Sequence, residues 1–486
     1  MKMNKLIFQA ICCIVFGLSA VYVQAEIAFK WNKIEFESLP QSPDTLVGPD
    51  RYYIPENIDI VGLGLHSASG LMFAVLARIR PGVPATIAAF CLSEHKIGSS
   101  PKLWAFPNFV IQTLRTSDFY GQSFRSNARR FTKKPIYNQG INFYDWNSQY
   151  GGNYPSHHYL YQKPIYSDPS TLYSQATARD FRIISTYQVV VDEKCNRAFF
   201  LDTGMVLYAN VSSIIQNPAL VVYDLPVDGC ETRNFRLIRR IEFPDKLAKM
   251  GPFSYYYMTL DFQSNQCDDL FIYIGNFFEY FLVVLDYKKN EFWYFNDNPT
   301  FRAVTAESHF IYDKTLNFVM ESGIYSVFLD YPDKSGDRTA YYVDGGSTVQ
   351  YAVSTKVLKN KKKSPQNYNK NDFKLIGHRG CNTQTAATVV DYTYGVVFYA
   401  ELQSKRITCW NMRKPLNPDN IGVVFESEKL SFPFSIIIDS SGYLWFNSGN
   451  LVYLYFTTKG IDINKTNMYY FRIKVSDAIR GTVCEY

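Results

Sequence analysis

Beyond its first 25 residues, the 486-residue chain has no apolar run long enough to cross a bilayer, which needs about 20 residues, so helical membrane spans are excluded there. The one sustained apolar run, Leu6 to Ala20, follows Lys2 and Lys5 and precedes Val23-Gln24-Ala25, whose small residues are spaced as at a cleavage site. Residues 1–25 are therefore expected to be a signal peptide. The mature chain, 26–486, is expected to begin near Glu26 and to have no membrane partner after cleavage.

Chemistry-bearing motifs are also scarce. There is no C-x-x-C and no Cys/His cluster, which argues against structural zinc. No G-x-S-x-G, H-E-x-x-H or P-loop occurs, so serine hydrolase, zincin and nucleotide-hydrolase readings lack support. Of the six histidines, His157 and His158 are adjacent, and neighbours on an extended chain point to opposite faces. No metal and no cofactor is expected. Asp268-Asp269 reads as a strand-capping turn. The net charge of +6 is mild, and its densest run, Lys359 with Lys361 to Lys363, reads as a solvated loop, with no nucleic-acid partner. Long helical periodicities are rare.

What the chain does have is aromatic residues, with 38 Tyr and 37 Phe, the composition of half-buried pleated surfaces. Seven cysteines remain after residue 25, and in an exported chain they read first as disulfides, with at least one left over. Two sequons, at Asn210 and Asn464, are candidate glycosylation sites.

The chain repeats one unit: apolar strand, short turn, apolar strand often ending in Asp, turn, aromatic strand. The clearest copy is Asp269 to Gly275, Phe281 to Asp286 and Glu291 to Phe295. Others begin at Leu71, Ala198, Leu316, Gly395 and Tyr443; the last is expected to run through strands Leu451 to Phe456 and Tyr469 to Ile473. One such sheet cannot bury both faces alone, whereas six arranged radially shield one another. The expected fold is all-β, a six-bladed β-propeller closed by an N-terminal strand within Phe29 to Phe36. The polar stretch at about 111–180 reads as an insertion in this single domain.

Several ordered segments resemble the insect yellow / major royal jelly protein family. They include Arg80-Pro-Gly-Val-Pro-Ala-Thr-Ile-Ala88, Val191 to Gly204, Tyr351 to Thr355, Tyr394 to Tyr399, Cys409-Trp-Asn411, Phe425 to Trp445 and Gly481-Thr-Val-Cys484. The resemblance implies a secreted propeller. It further implies one of several roles: cuticle pigmentation or melanin biology, binding of biogenic amines in the central channel, dopachrome conversion by an isomerase, or a nutritive role. The expectation drawn here is a secreted binder of a small aromatic ligand, an amine or catechol. A dopachrome-converting isomerase and a structural, eggshell-type protein are the alternatives. The chain departs from the family pattern at Ala198-Phe199 and at Asn217-Pro218, where a cysteine is replaced and Cys230 follows instead. A Cys195–Cys230 bridge is the expected local substitute, with Cys409–Cys484 as the other pairing. Candidate ligand contacts are Tyr443 and Trp445, which share a strand face by period 2, and His378 and Arg379, flanked by glycines and able to reach a channel mouth. Core packing is the competing role for the first pair, and turn stabilisation for the second.

Overall fold

The computed structural model describes residues 24–39, 52–114, 141–142, 181–207, 212–250, 255–296, 298–311 and 316–485. The signal peptide up to residue 23, the insertion apart from 111–114 and 141–142, His157, His158 and Asn210 lie outside these residues. Among the described residues, no helix is long and apolar enough to cross a membrane.

Six four-stranded antiparallel sheets make up the fold. Blade one consists of Ile60–His66, Leu71–Leu76, Ile87–Cys91 and Trp104–Ala105, and blade two of Val189–Asp192, Arg197–Asp202, Ala219–Asp224 and Leu237–Glu242. Blade three is Tyr255–Phe262, Leu270–Asn276, Leu282–Asp286 and Glu291–Phe295, and blade four is Ile324–Leu329, Thr339–Asp344, Val349–Ser354 and Lys374–His378. Blade five is Thr385–Asp391, Val396–Glu401, Arg406–Asn411 and Ile421–Glu426. Blade six takes Ile436–Ile438, Tyr443–Ser448 and Met468–Lys474 from the C-terminal region and Glu26–Trp31 as its outermost strand. The first strands touch from blade to blade around the ring, except that the first strand of blade three meets the second strand of blade two, and blade six returns to blade one.

A local device recurs in the hairpin between first and second strands. Asp192, Asp286 and Asp391 each accept the backbone N–H three residues on, from Cys195, Lys289 and Tyr394. Four residues on, Asn196, Asn290 and Gly395 take positive φ of 51°, 56° and 69°. Asparagine and glycine tolerate that region, and the Asx hydrogen bond fixes the turn. In blade three the device joins the third and fourth strands.

Closure uses the N-terminal strand, as expected, but it begins three residues earlier in the chain, at Glu26–Trp31. It pairs with Met468–Lys474 from Glu26↔Arg472 to Trp31↔Met468. Phe36 makes only an isolated bridge to Leu103. Two further expectations are corrected. Leu451–Phe456 is a helix, because a six-residue apolar run has no period that separates strand from buried helix. Asn317–Val319 belongs not to blade four but to a small sheet with His309–Ile311 and, in parallel, Ile141–Asn142.

Three disulfides join Cys91 to Cys230, Cys195 to Cys267 and Cys409 to Cys484. The expected Cys195–Cys230 bridge is therefore wrong. Cys195 sits in the blade-two hairpin facing blade three, where Cys267 lies 5.9 Å away between Cα atoms. Cys230 instead ties blade two back to blade one. Sequence proximity could not reveal these contacts between blades. Cys381 lies outside the three bridges.

Candidate functional site

Where the first strands begin, the ring axis opens into a cavity of about 570 Å³, counting the part that is open to solvent. Its wall draws on most of the ring: Tyr187 precedes the first strand of blade two, Tyr256 and Tyr325 start those of blades three and four, Ala386 starts that of blade five, and Phe434 precedes that of blade six. The connections after the second strands supply Ile79, Phe277, Phe278, Leu402 and the helix Leu451–Phe456.

The lining is aromatic and interlocked. Tyr187 and Tyr256 have ring centroids 4.2 Å apart, Tyr257 and Tyr325 5.1 Å, and Tyr325 and Phe434 5.6 Å. Phe318 stacks on Phe456 at 4.5 Å. Among the described residues no charged side chain lines the cavity. Burial pushes the phenols of Tyr187, Tyr256, Tyr325 and Tyr455 up, so all four stay neutral at physiological pH. The Tyr257 hydroxyl donates to the Phe434 carbonyl. The Tyr325 hydroxyl is buried and meets no hydrogen-bond partner among the described residues. Ser322 Oγ and Gln384 Oε1, one just before the first strand of blade four and one just before that of blade five, are likewise buried without partners. Unpaired buried polar atoms are uncommon and call for an explanation. Of the three residues, Tyr325 lines the cavity.

None of the four expected contact residues lines this cavity. Trp445 is 1% exposed on the second strand of blade six, and its Nε1–H donates to Asp439 Oδ2 at 2.8 Å. The same carboxylate accepts the N–H groups of Ser441 and Tyr443, so Asp439-Ser-Ser-Gly-Tyr-Leu-Trp445 is a hairpin staple. Tyr443 lies outside the cavity, with Lys474 Nζ 4.0 Å and the Arg472 guanidinium 4.9 Å from its ring centre. His378 is exposed on the outermost strand of blade four. Arg379 is 1% exposed and donates to the carbonyls of Ser347 (3.0 Å), Val349 (3.1 Å) and Thr383 (3.1 Å), with the Tyr399 ring 5.2 Å away. Replacing Arg379 with alanine orphans these buried carbonyls and leaves a void, at a cost of about 2–4 kcal/mol. Urea unfolding should show that loss, while affinity for any axial ligand stays within twofold; a selective loss of affinity would restore Arg379 to the site. Asn464 is exposed on the loop before the third strand of blade six.

The cavity residues were missed because the recognised repeat begins mostly at second strands, while the axis is built from first strands and the residues just before them. Tyr255-Tyr-Tyr257 and Phe432-Pro-Phe434 were the visible signals.

Fold and cavity together define a six-bladed propeller with an aromatic site on its axis. Comparison with known proteins narrows the class. The family model described as Major royal jelly protein matches residues 184–484. The yellow-related salivary protein LJM111 of Lutzomyia longipalpis is 33% identical over 307 residues, covering 62% of this chain and 73% of the relative. The L-dopachrome tautomerase yellow-f of Drosophila melanogaster is 29% identical over 429 residues, covering 87% of this chain and 81% of the relative. The yellow-related salivary protein M35 of Phlebotomus duboscqi is 34% identical over 275 residues, covering 55% and 65%. The chain belongs to the yellow / major royal jelly protein family.

Proposed function

We propose that this is a secreted propeller that binds a small flat aromatic molecule, a biogenic amine or a catechol, in the axial cavity. The observation that carries the reading is the pairing of stacked aromatic walls with the buried, unpartnered hydroxyl of Tyr325. A ring slots between aromatic faces, a ring hydroxyl or N–H meets Tyr325, and an ammonium tail is held by ring quadrupoles. The three disulfides accord with export to an oxidising compartment. A role in cuticle pigmentation or melanin biology is compatible with catechol binding. The second reading is dopachrome conversion, favoured by the tautomerase relative that aligns over 87% of this chain.

Calorimetric titration of the mature protein with serotonin, dopamine and octopamine, run beside a dopachrome absorbance assay, separates the two. Heat of binding without turnover supports the binder. Dopachrome decay above a heat-killed control supports the isomerase, and silence in both leaves a structural role. Tyr325→Phe should weaken binding about 3–10-fold, the worth of one hydrogen bond, without lowering the melting temperature, because the hydroxyl it removes has no partner among the described residues.

A further inference from the structure

The cavity wall from blade six is the helix Leu451–Phe456, which presents Leu451, Val452, Tyr455 and Phe456. Six residues are too few to hold a helix in water without outside support. Both ends are gripped, and both grips come from blade one, across the seam where the ring closes. At the start, Asp59 Oδ2 accepts the N–H of Asn450 at 2.7 Å. At the end, the Arg80 guanidinium donates through Nε to the Leu454 carbonyl at 2.8 Å, through Nη1 to the Lys459 carbonyl at 2.8 Å, and through Nη2 to the Thr457 carbonyl. A third tie runs from the Ile461 N–H to the Glu56 carbonyl at 2.8 Å.

The arrangement matches what a helix leaves unsatisfied, with an acceptor oxygen for an N–H at its start and guanidinium donors for carbonyls at its end. It also has a steric signature. A Cβ on Gly449 would fall 2.6 Å from Asp59 Oδ2, so only glycine lets the carboxylate reach the first turn. The segments carrying Asp59 and Arg80 are themselves joined, the Ile54 N–H donating to the Gly82 carbonyl at 2.9 Å. The clamp is thus one unit that bears on the helix at both ends.

We propose that Asp59 and Arg80 are positioning residues for the axial site: blade one sets the place of the wall that blade six contributes, so the shape of the site is tied to closure of the ring. The link to ligand affinity rests on the axial cavity being the ligand site; the clamp itself does not.

Hydrogen exchange by mass spectrometry on the full mature chain tests it, comparing wild type with Arg80→Gln, Arg80→Lys and Asp59→Asn, alongside serotonin titration. Arg80→Gln should speed exchange across residues 451–457 at least tenfold while leaving strand 270–276 unchanged. Serotonin affinity should fall by a similar factor with little movement of the urea midpoint. Arg80→Lys should recover part of both, because one ammonium cannot serve three separated carbonyls. Asp59→Asn keeps one acceptor oxygen and should loosen only the first turn. Unchanged exchange at 451–457 in all variants overturns the clamp. Faster exchange with unchanged serotonin affinity overturns its role in the site. If wild type binds no serotonin but Arg80→Gln still frees the helix, the clamp stands and the ligand reading fails.

Discussion

A mature chain lacking residues 26–31 should fail to fold cooperatively, and Trp31→Ala alone should cost about 3–5 kcal/mol, a loss typical of removing a fully buried tryptophan. The strand Glu26–Trp31 is more than the outer strand of blade six. On one side it makes the ladder with Met468–Lys474. On the other it meets the last part of blade one, where the Lys30 N–H donates to the Ser99 carbonyl and the Gly98 N–H to the Ala28 carbonyl. Trp31 is 1% exposed, its Nε1–H donates to the Pro101 carbonyl at 2.8 Å, and its ring meets Tyr470 edge-on at 5.1 Å. Phe29 packs edge-on against Phe90 at 4.9 Å. Removing the strand bares two edges and separates the blades that must meet for the ring to close. Circular dichroism and urea unfolding of the two variants check this. A truncated chain with a wild-type midpoint would mean that the ring closes by other contacts.

The propeller was legible in the sequence because its signal is repeated. Six weak strand triplets reinforce one another, and the hairpin pairs Asp192/Asn196, Asp286/Asn290 and Asp391/Gly395 follow from turn chemistry that acts over four residues. What failed was anything decided between blades. Cys195 bonds Cys267 and Cys230 bonds Cys91, pairings set by which hairpins face each other across a seam. Leu451–Phe456 is a helix because Asp59 and Arg80, almost 400 residues away in sequence, satisfy its ends. The candidate site failed for the same reason. Tyr443 and Trp445 share a face, as period 2 requires, yet that face is inside a blade and not on the axis. His378 and Arg379 sit at the outer edge of blade four, where glycines serve the turn. The axis is lined by residues such as Tyr187 and Phe434, which lie just outside strands, where periodicity carries no information.

Stability should peak on the acid side of neutrality and fall as the pH rises towards 7, the reverse of the usual behaviour of carboxylate-rich surfaces. Burial pushes the carboxyls of Asp59 and Asp344 up to about 7. Asp59 faces no charged group; only the backbone N–H groups of Asn450, Ile60 and Leu451 oppose the rise. Around Asp344, the Ser347 hydroxyl, the Arg379 guanidinium and the Gly346 N–H pull down, while Glu307 pushes further up. Burial also raises Asp202, Asp261 and Glu279. An unfolded aspartate titrates near 3.9, so between about pH 4 and 7 the folded protein keeps protons that the unfolded chain has released. Stability therefore declines through that window and levels off above it, by at most about 4 kcal/mol for each of the two carboxyls. Asp333 and Glu428, which are pushed down, lie at the surface, where solvent and salt blunt their opposing effect. Scanning calorimetry from pH 4 to 8 should place the highest melting temperature at the acid end, near pH 4. Asp59→Asn removes the ionisation but keeps an oxygen for Asn450, so its advantage over wild type should be absent at pH 4, grow through the window and level off above pH 7. A melting curve that instead rises from pH 5 to 7 would mean that both carboxyls are ionised in the folded ring, and that water or a cation reaches Asp59 behind the helix.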